Sequence, residues 1–173
     1  MLLGLYKDFC FGGYKSGKVG IGTTSPTMNL HVVGSANVSQ NLFVGGNITT
    51  GGADFAEMMN SDEILEAGDI VCFVDSIKVK KCSKEADRSV AGIVSEKPTI
   101  IGNKNNGKYP IGIVGLVKAK VLVGIESYDL LTTSSQAGYA KKAAKEDDGA
   151  IIGKALEPCK KEKCMINVLV SLS

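Results

Sequence analysis

The sequence predicts an all-β protein, with a short trimeric β stalk followed by a compact β-barrel or β-sandwich domain. Composition is the first reason. The 173 residues include 21 glycines, 6% aromatic residues and no Trp, the material of short strands and tight turns rather than of long helices. Periodicity is the second, because apolar residues recur every second position in short runs separated by Gly, Asn, Asp and Pro. The third is an internal repeat at an offset of twelve: Leu30-His31-Val32-Val33-Gly34-Ser35-Ala36 aligns with Leu42-Phe43-Val44-Gly45-Gly46-Asn47-Ile48. With 44% hydrophobic and 22% charged residues, the chain has the balance of a globular protein and not of a disordered one.

The chain divides into three parts. Residues 1–18 carry no clear period and read as an irregular N-terminal segment. Gly12-Gly13-Tyr14-Lys15-Ser16-Gly17-Lys18-Val19 has the spacing of a phosphate-binding loop up to its Lys. That motif then needs a Ser or Thr hydroxyl for magnesium, and Val19 stands there instead. Gly20-Ile21-Gly22 also disfavours the helix that should follow, so a glycine-rich linker is the better reading.

Residues 19–52 read as the stalk. Val19-Gly20-Ile21-Gly22-Thr23-Thr24-Ser25-Pro26 alternates and then turns. Leu30, Val32, Gly34, Ala36 and Val38 share one face of a first strand, and Leu42, Val44, Gly46 and Ile48 share one face of a second. Strands this short have nothing within their own segment to bury that face against, and repeats of this kind need neighbours. Three chains wound about one axis satisfy the requirement. The competing reading is a β-hairpin packed on the following domain.

Residues 53–173 read as a compact β domain. Asp54-Phe55-Ala56-Glu57-Met58-Met59 is a short helix-compatible element. Strands are expected at Ile70 to Val74, Ile77 to Lys80, Val90 to Ser95, Ile111 to Val123, Tyr128 to Thr133 and Ala150 to Leu156. The strictly alternating Met165 to Leu172 closes the chain as a strand inside the sheet. Ala140-Lys141-Lys142-Ala143-Ala144-Lys145-Glu146 reads as a helical turn or an exposed loop. The loops at residues 102–110 and 134–149 are the places where a cell-surface receptor or glycan would be recognised.

Several function classes are excluded or unsupported. A net charge of +2 argues against a nucleic-acid surface. No apolar run approaches the ~18 residues of a membrane helix, and Met1 to Tyr6 is too short for a signal-peptide core. The single His31 leaves little for histidine-based catalysis. Cys10, Cys72 and Cys82 have no metal-ligand spacing, so neither a metal nor a cofactor is expected. Cys159 and Cys164 flank a four-residue charged loop that a hairpin would place between them, and they read as two free thiols. The sequons at Asn37 and Asn47 are of the kind that short polar strands produce by chance.

Val19 to Pro26 followed by Leu30-His31-Val32 resembles the stalk repeat of phage tail fibres and related bacterial surface fibres. Gly52-Ala53-Asp54-Phe55-Ala56-Glu57 resembles the opening motif of the G2 peptidase family, the intramolecular chaperone autoproteolytic domain of phage neck appendages. So does Ala91-Gly92-Ile93-Val94-Ser95-Glu96-Lys97-Pro98-Thr99-Ile100-Ile101-Gly102-Asn103, followed by the glycine-rich strand at Ile111. The resemblance covers about residues 19–170. It implies an all-β domain at the C-terminus of a virion fibre or extracellular surface fibre, which helps three chains to trimerise and then cuts its own chain near the stalk junction.

Asp54 and Glu57 are the candidate catalytic residues. In a helical turn, residues three apart share a face. One ionised carboxylate would then take a proton from water while a protonated partner donates to the leaving amide. The competing reading is structural, with Asp54 capping the turn and Glu57 as its capping-box partner. Three functions therefore stand side by side: an assembly chaperone at a fibre tip, the same module with self-cleavage, and a receptor- or glycan-binding tip without cleavage.

Overall fold

Val and Ile at alternating positions fit a pleated, half-buried surface, and Gly, Asn and Asp between them supply the turns. A computed structural model of the chain describes residues 17–145 and 147–173. The first sixteen residues, with most of the phosphate-loop look-alike and of the irregular N-terminal segment, lie outside them, as does Glu146. The described residues contain twelve strands and no helix. The chain falls into two units that meet between Ile48 and Thr49.

The first unit contains one parallel pair, β1 (Val19–Ile21) and β2 (Leu30–Val32), with Val19 opposite Leu30 and Ile21 opposite Val32. The second copy of the repeat forms no strand, because among the described residues the segment 42–48 has no ladder partner. That corrects the two-strand expectation for the stalk. Its apolar residues remain open to solvent: Leu42 is 70% exposed, Phe43 88% and Ile48 64%.

The second unit contains β3 (Asp54–Met59), β4 (Ile70–Phe73), β5 (Val79–Lys81), β6 (Val90–Val94), β7 (Ile100–Gly102) and β8 (Tyr109–Leu122). These are followed by β9 (Leu130–Thr133), β10 (Ala140–Lys142), β11 (Ile151–Ala155) and β12 (Lys163–Ser171). Five of them, in the order β8-β12-β11-β9-β10, form a barrel that closes where Ala140 of β10 meets Val121 of β8. β6, β4 and β5 extend the sheet from β8, and β3 joins β8 to β7. Alternation decides the interior. Val117, Ala119 and Val121 of β8 and Ile166, Val168 and Val170 of the neighbouring β12 line one inward face of a buried core that includes Ile93, Leu131 and Ile152. A second cluster of Leu65, Val71, Val79, Val94 and Ile111 fills the space under β3 to β6.

Three expectations need correction. Asp54–Met59 is a strand, not a helix-compatible turn, because both its edges are taken by β7 and β8. Ala140–Lys142 is a strand paired with β9, Ala140 opposite Thr133; closing the barrel outweighs the helix propensity of Ala and Lys. Cys159 and Cys164 are bonded rather than free. Cys72–Cys82 and Cys159–Cys164 are disulfides with Cα atoms 5.0 and 5.8 Å apart. Cys72 lies opposite Lys80 on the β4–β5 hairpin, so Cys82 stands diagonally across from it. Cys159 is bridged to Ile125 and Cys164 pairs with Val121, which brings the two ends of the short loop together.

Three outcomes follow. β12 is paired on both sides, so truncation after Cys164 removes a stave of the barrel and should abolish cooperative thermal unfolding, read by circular dichroism. Leu131→Ala, at a fully buried position, should cost about 2–5 kcal/mol in chemical denaturation. In addition, thiol titration of the denatured chain should find four more thiols after reduction than before it.

Candidate functional site

The stalk joins the barrel unit through a strap, residues 50–54, whose backbone is held on both sides. Thr99 N–H donates to the Asp54 carbonyl at 2.7 Å, and Leu116 N–H donates to the Ala53 carbonyl at 3.1 Å. The Thr50 hydroxyl donates to the Thr99 hydroxyl at 3.1 Å. Gly52 lies so close to Pro98 and Thr99 that a Cβ would come within 2.6 Å of the Thr99 nitrogen. Gly115, opposite Asp54, has φ +112°, and a Cβ there would stand 2.5 Å from the Ala53 oxygen. Glycine at both positions is a condition for docking the strap.

Beside the strap opens a cleft of about 360 Å³, whose lining includes Gly51, Gly52, Asp54, Ser95, Lys97 and Lys118. Asp54 is only 3% exposed. The Ser95 hydroxyl donates to its Oδ1 at 3.1 Å, and its Oδ2 has no hydrogen-bond partner. Gly112 makes the space for that oxygen, since a Cβ there would be 2.9 Å from it. Burial raises the Asp54 carboxyl above its ordinary value of 3.8, and the Ser95 hydrogen bond offsets part of the rise. A carboxyl so placed keeps its proton where an ordinary Asp has lost it.

Glu57 lies elsewhere. The ladder irregularity between Phe55 and Ala56 puts the extra residue, Ile113, on β8, so β3 itself alternates regularly. Residues three apart on a strand point to opposite faces. Glu57 therefore stands with Phe55, packed against Gly102 of β7, while Asp54 points inward to Ser95. The shared face and the capping box expected of Asp54 and Glu57 both disappear with the helical turn. Sequence reasoning assigned no role to Ser95, because nothing in residue spacing shows that the end of β6 meets the start of β3. Among the described residues no group of three or more His, Cys, Asp or Glu side chains is placed to hold a metal. No helix there is long and apolar enough to cross a membrane.

No protein-family model matches the chain, and no curated protein matches it. Among solved structures, the chain is similar to the pre-mature form of bacteriophage phi29 gene product 12, with a TM-score of 0.58 and 14% sequence identity. The match covers 79% of this chain and 24% of that one, so the chain spans about a quarter of that protein's length. At this identity the likeness is one of fold.

The raised Asp54 carboxyl has a signed consequence. The folded state holds a proton that the unfolded state releases near pH 3.8, so stability falls as pH rises from there through the folded-state value. Asp54→Asn removes the penalty. It should raise the melting temperature at pH 7 and leave it nearly unchanged at pH 3. Ser95→Ala should shift the pH-dependent step upward, because the hydrogen bond that lowers the carboxyl is gone.

Proposed function

We propose that the chain is the tip of a homotrimeric fibre of the phage-appendage kind, on a virion or an extracellular surface. In this reading the barrel unit is a folded assembly domain, an intramolecular chaperone for the stalk that precedes it. The observation that carries the reading is the unburied apolar run of the stalk. Residues 30–48 include Leu30, Val33, Val38, Leu42, Phe43, Val44 and Ile48, all 45% or more exposed, beside a parallel pair only three residues long. Among the described residues nothing covers them, and three chains about a common axis would. The fold likeness to a phage gene product supports the setting. The two disulfides fit an oxidising surroundings after assembly.

Sedimentation equilibrium and native mass spectrometry test the reading, and the unaltered chain should be a trimer. Leu42→Asp with Val44→Asp should yield folded monomers, because each charge would meet two copies of itself near the axis. A monomeric unaltered chain overturns the proposal.

A second activity, self-cleavage at the junction, is favoured by the unpartnered Oδ2 of Asp54 beside the strap. Water adds to a strap carbonyl carbon and the C–N bond breaks. The leaving nitrogen takes the proton held by Asp54, and the water's proton passes to Glu57 as base. Since β3 puts Glu57 on its other face, the first residues of β3 must leave the sheet before both groups act on one bond. Holding the bond in place is the trimer's contribution, so assembly precedes cutting. The unaltered trimer should release a C-terminal fragment of about 120 residues, while Asp54→Asn and Glu57→Gln trimers stay whole. An unaltered trimer that remains intact through prolonged incubation refutes the cleavage and leaves the assembly role standing.

A further inference from the structure

Five large apolar side chains form one continuous exposed patch on the outer face of the barrel unit. The register places them together. Phe55 of β3 stands opposite both Ile100 of β7 and Val114 of β8. Leu116, two residues along β8 on the same face, stands opposite Leu169 of β12. Residues directly opposite on neighbouring strands share a face with Cβ atoms roughly 5 Å apart. Exposure ranges from 39% at Leu116 to 49% at Val114. Lys118 and Asn167 form the next pair along the sheet, while Ser171 and Lys154 are the register neighbours of Val114 and Leu169, so the rim is polar. Contiguous apolar surface with such a rim marks an interaction site, whereas scattered apolar residues do not.

The strap says what covers it. Its Ala53 carbonyl is held by Leu116, and its Asp54 is adjacent to Phe55 and opposite Gly115, between Val114 and Leu116. The covalent link to the stalk therefore reaches the barrel unit at the edge of this patch. We infer that the patch is the contact between barrel units of neighbouring copies of this chain. The inference rests on the homotrimer reading above and names the surface that reading leaves open. Three chains joined through the stalk hold three straps together, and a linker of a few residues keeps the barrel units at an effective concentration in the millimolar range. The surface at the foot of the tether is the one that copies meet with the least extension of the linker. Its chemistry suits a symmetric contact. Around a three-fold axis each residue near the centre meets its own copies, so a charge there would repel itself. None of the five positions carries one, and the lysines stand at the rim, where salt screens them.

The test uses the full chain. Leu116→Glu with Leu169→Glu, both outward-facing, should leave the barrel's melting transition in place and raise the trimer dissociation constant roughly thirtyfold or more, the effect of losing an interface hot spot. A photo-activated benzophenone side chain at Phe55, read by mass spectrometry of the cross-linked peptides, should join residues 49–173 of one copy to residues 49–173 of another; this arm decides if the double variant does not fold. An unaltered trimer whose dissociation constant the double variant leaves unchanged overturns the inference, as do cross-links that reach only residues 17–48 of a neighbour, and either result leaves the homotrimer intact. A monomeric unaltered chain removes both.

Discussion

The rest of the barrel unit depends on one long strand. β8 runs for 14 residues and pairs with β3, β6, β10 and β12. Gly112 has β3 on one edge and β6 on the other, and Gly115 has β3 on one edge and β12 on the other. One edge of β8 therefore serves β6 and then β12, while the other serves β3 and then β10. The change of partners falls at the bulge at Ile113. Bulges bend a strand and raise its twist, which is what a strand must do to belong to an open sheet at one end and a closed barrel at the other. The two glycines leave room for the strap and for the Asp54 carboxyl, so the geometry of the junction is a consequence of how β8 bends.

The two units solve the burial problem in opposite ways. The barrel unit closes on itself and hides its alternating Val, Ile and Leu residues. The first unit has the same alternation and a single three-residue rung. Burying a side chain such as Leu42 or Phe43 is worth about 1.5–3 kcal/mol, and the described residues of the chain realise little of it. The stalk is apolar without being a core, which is why its physics points outside the chain.

Much of the architecture was legible as period two. β4, β6, β8, β9, β11 and β12 each follow an alternating or wholly apolar run bounded by turn residues, and the all-β class follows from their spacing, which leaves barrel and sandwich both open. Short elements were less legible, because residue propensity over three to six positions is a weak signal against tertiary pairing. Ala140–Lys142 has the composition of a helix and is a strand because β9 and β8 both need a partner there. Asp54–Met59 is the same case between β7 and β8. The disulfides depend on hairpin register, which cysteine spacing does not encode. At the site, position, chemistry and the resemblance singled out Asp54 together with Glu57, but the hydrogen-bond partner of Asp54 is Ser95, 41 residues away, and only the pairing of β3 and β6 with β8 brings the two together.

The treatment of two buried acids bears on whether Asp54 is merely tolerated. Asp69 is 1% exposed and fully compensated. Lys120 reaches one oxygen at 2.7 Å and Lys81 the other at 3.3 Å, and the Glu66 N–H donates to the carboxylate at 2.8 Å. Asp54 is buried almost as deeply, with one hydroxyl for a partner and one oxygen without any. An unsatisfied buried polar group costs about 1–3 kcal/mol, and an uncompensated charge more. The same sheet thus contains a built ion cluster and, at the junction, an acid left short of partners. Asn at position 54 would fill the same volume and carry no carboxyl to ionise, so an acid there is a departure from the rule that Asp69 follows. Departures of this kind, in otherwise consistent folds, collect at functional positions. The place of this one is the start of β3, at the foot of the strap, where Gly52 and Gly115 let the backbone come close to its neighbours.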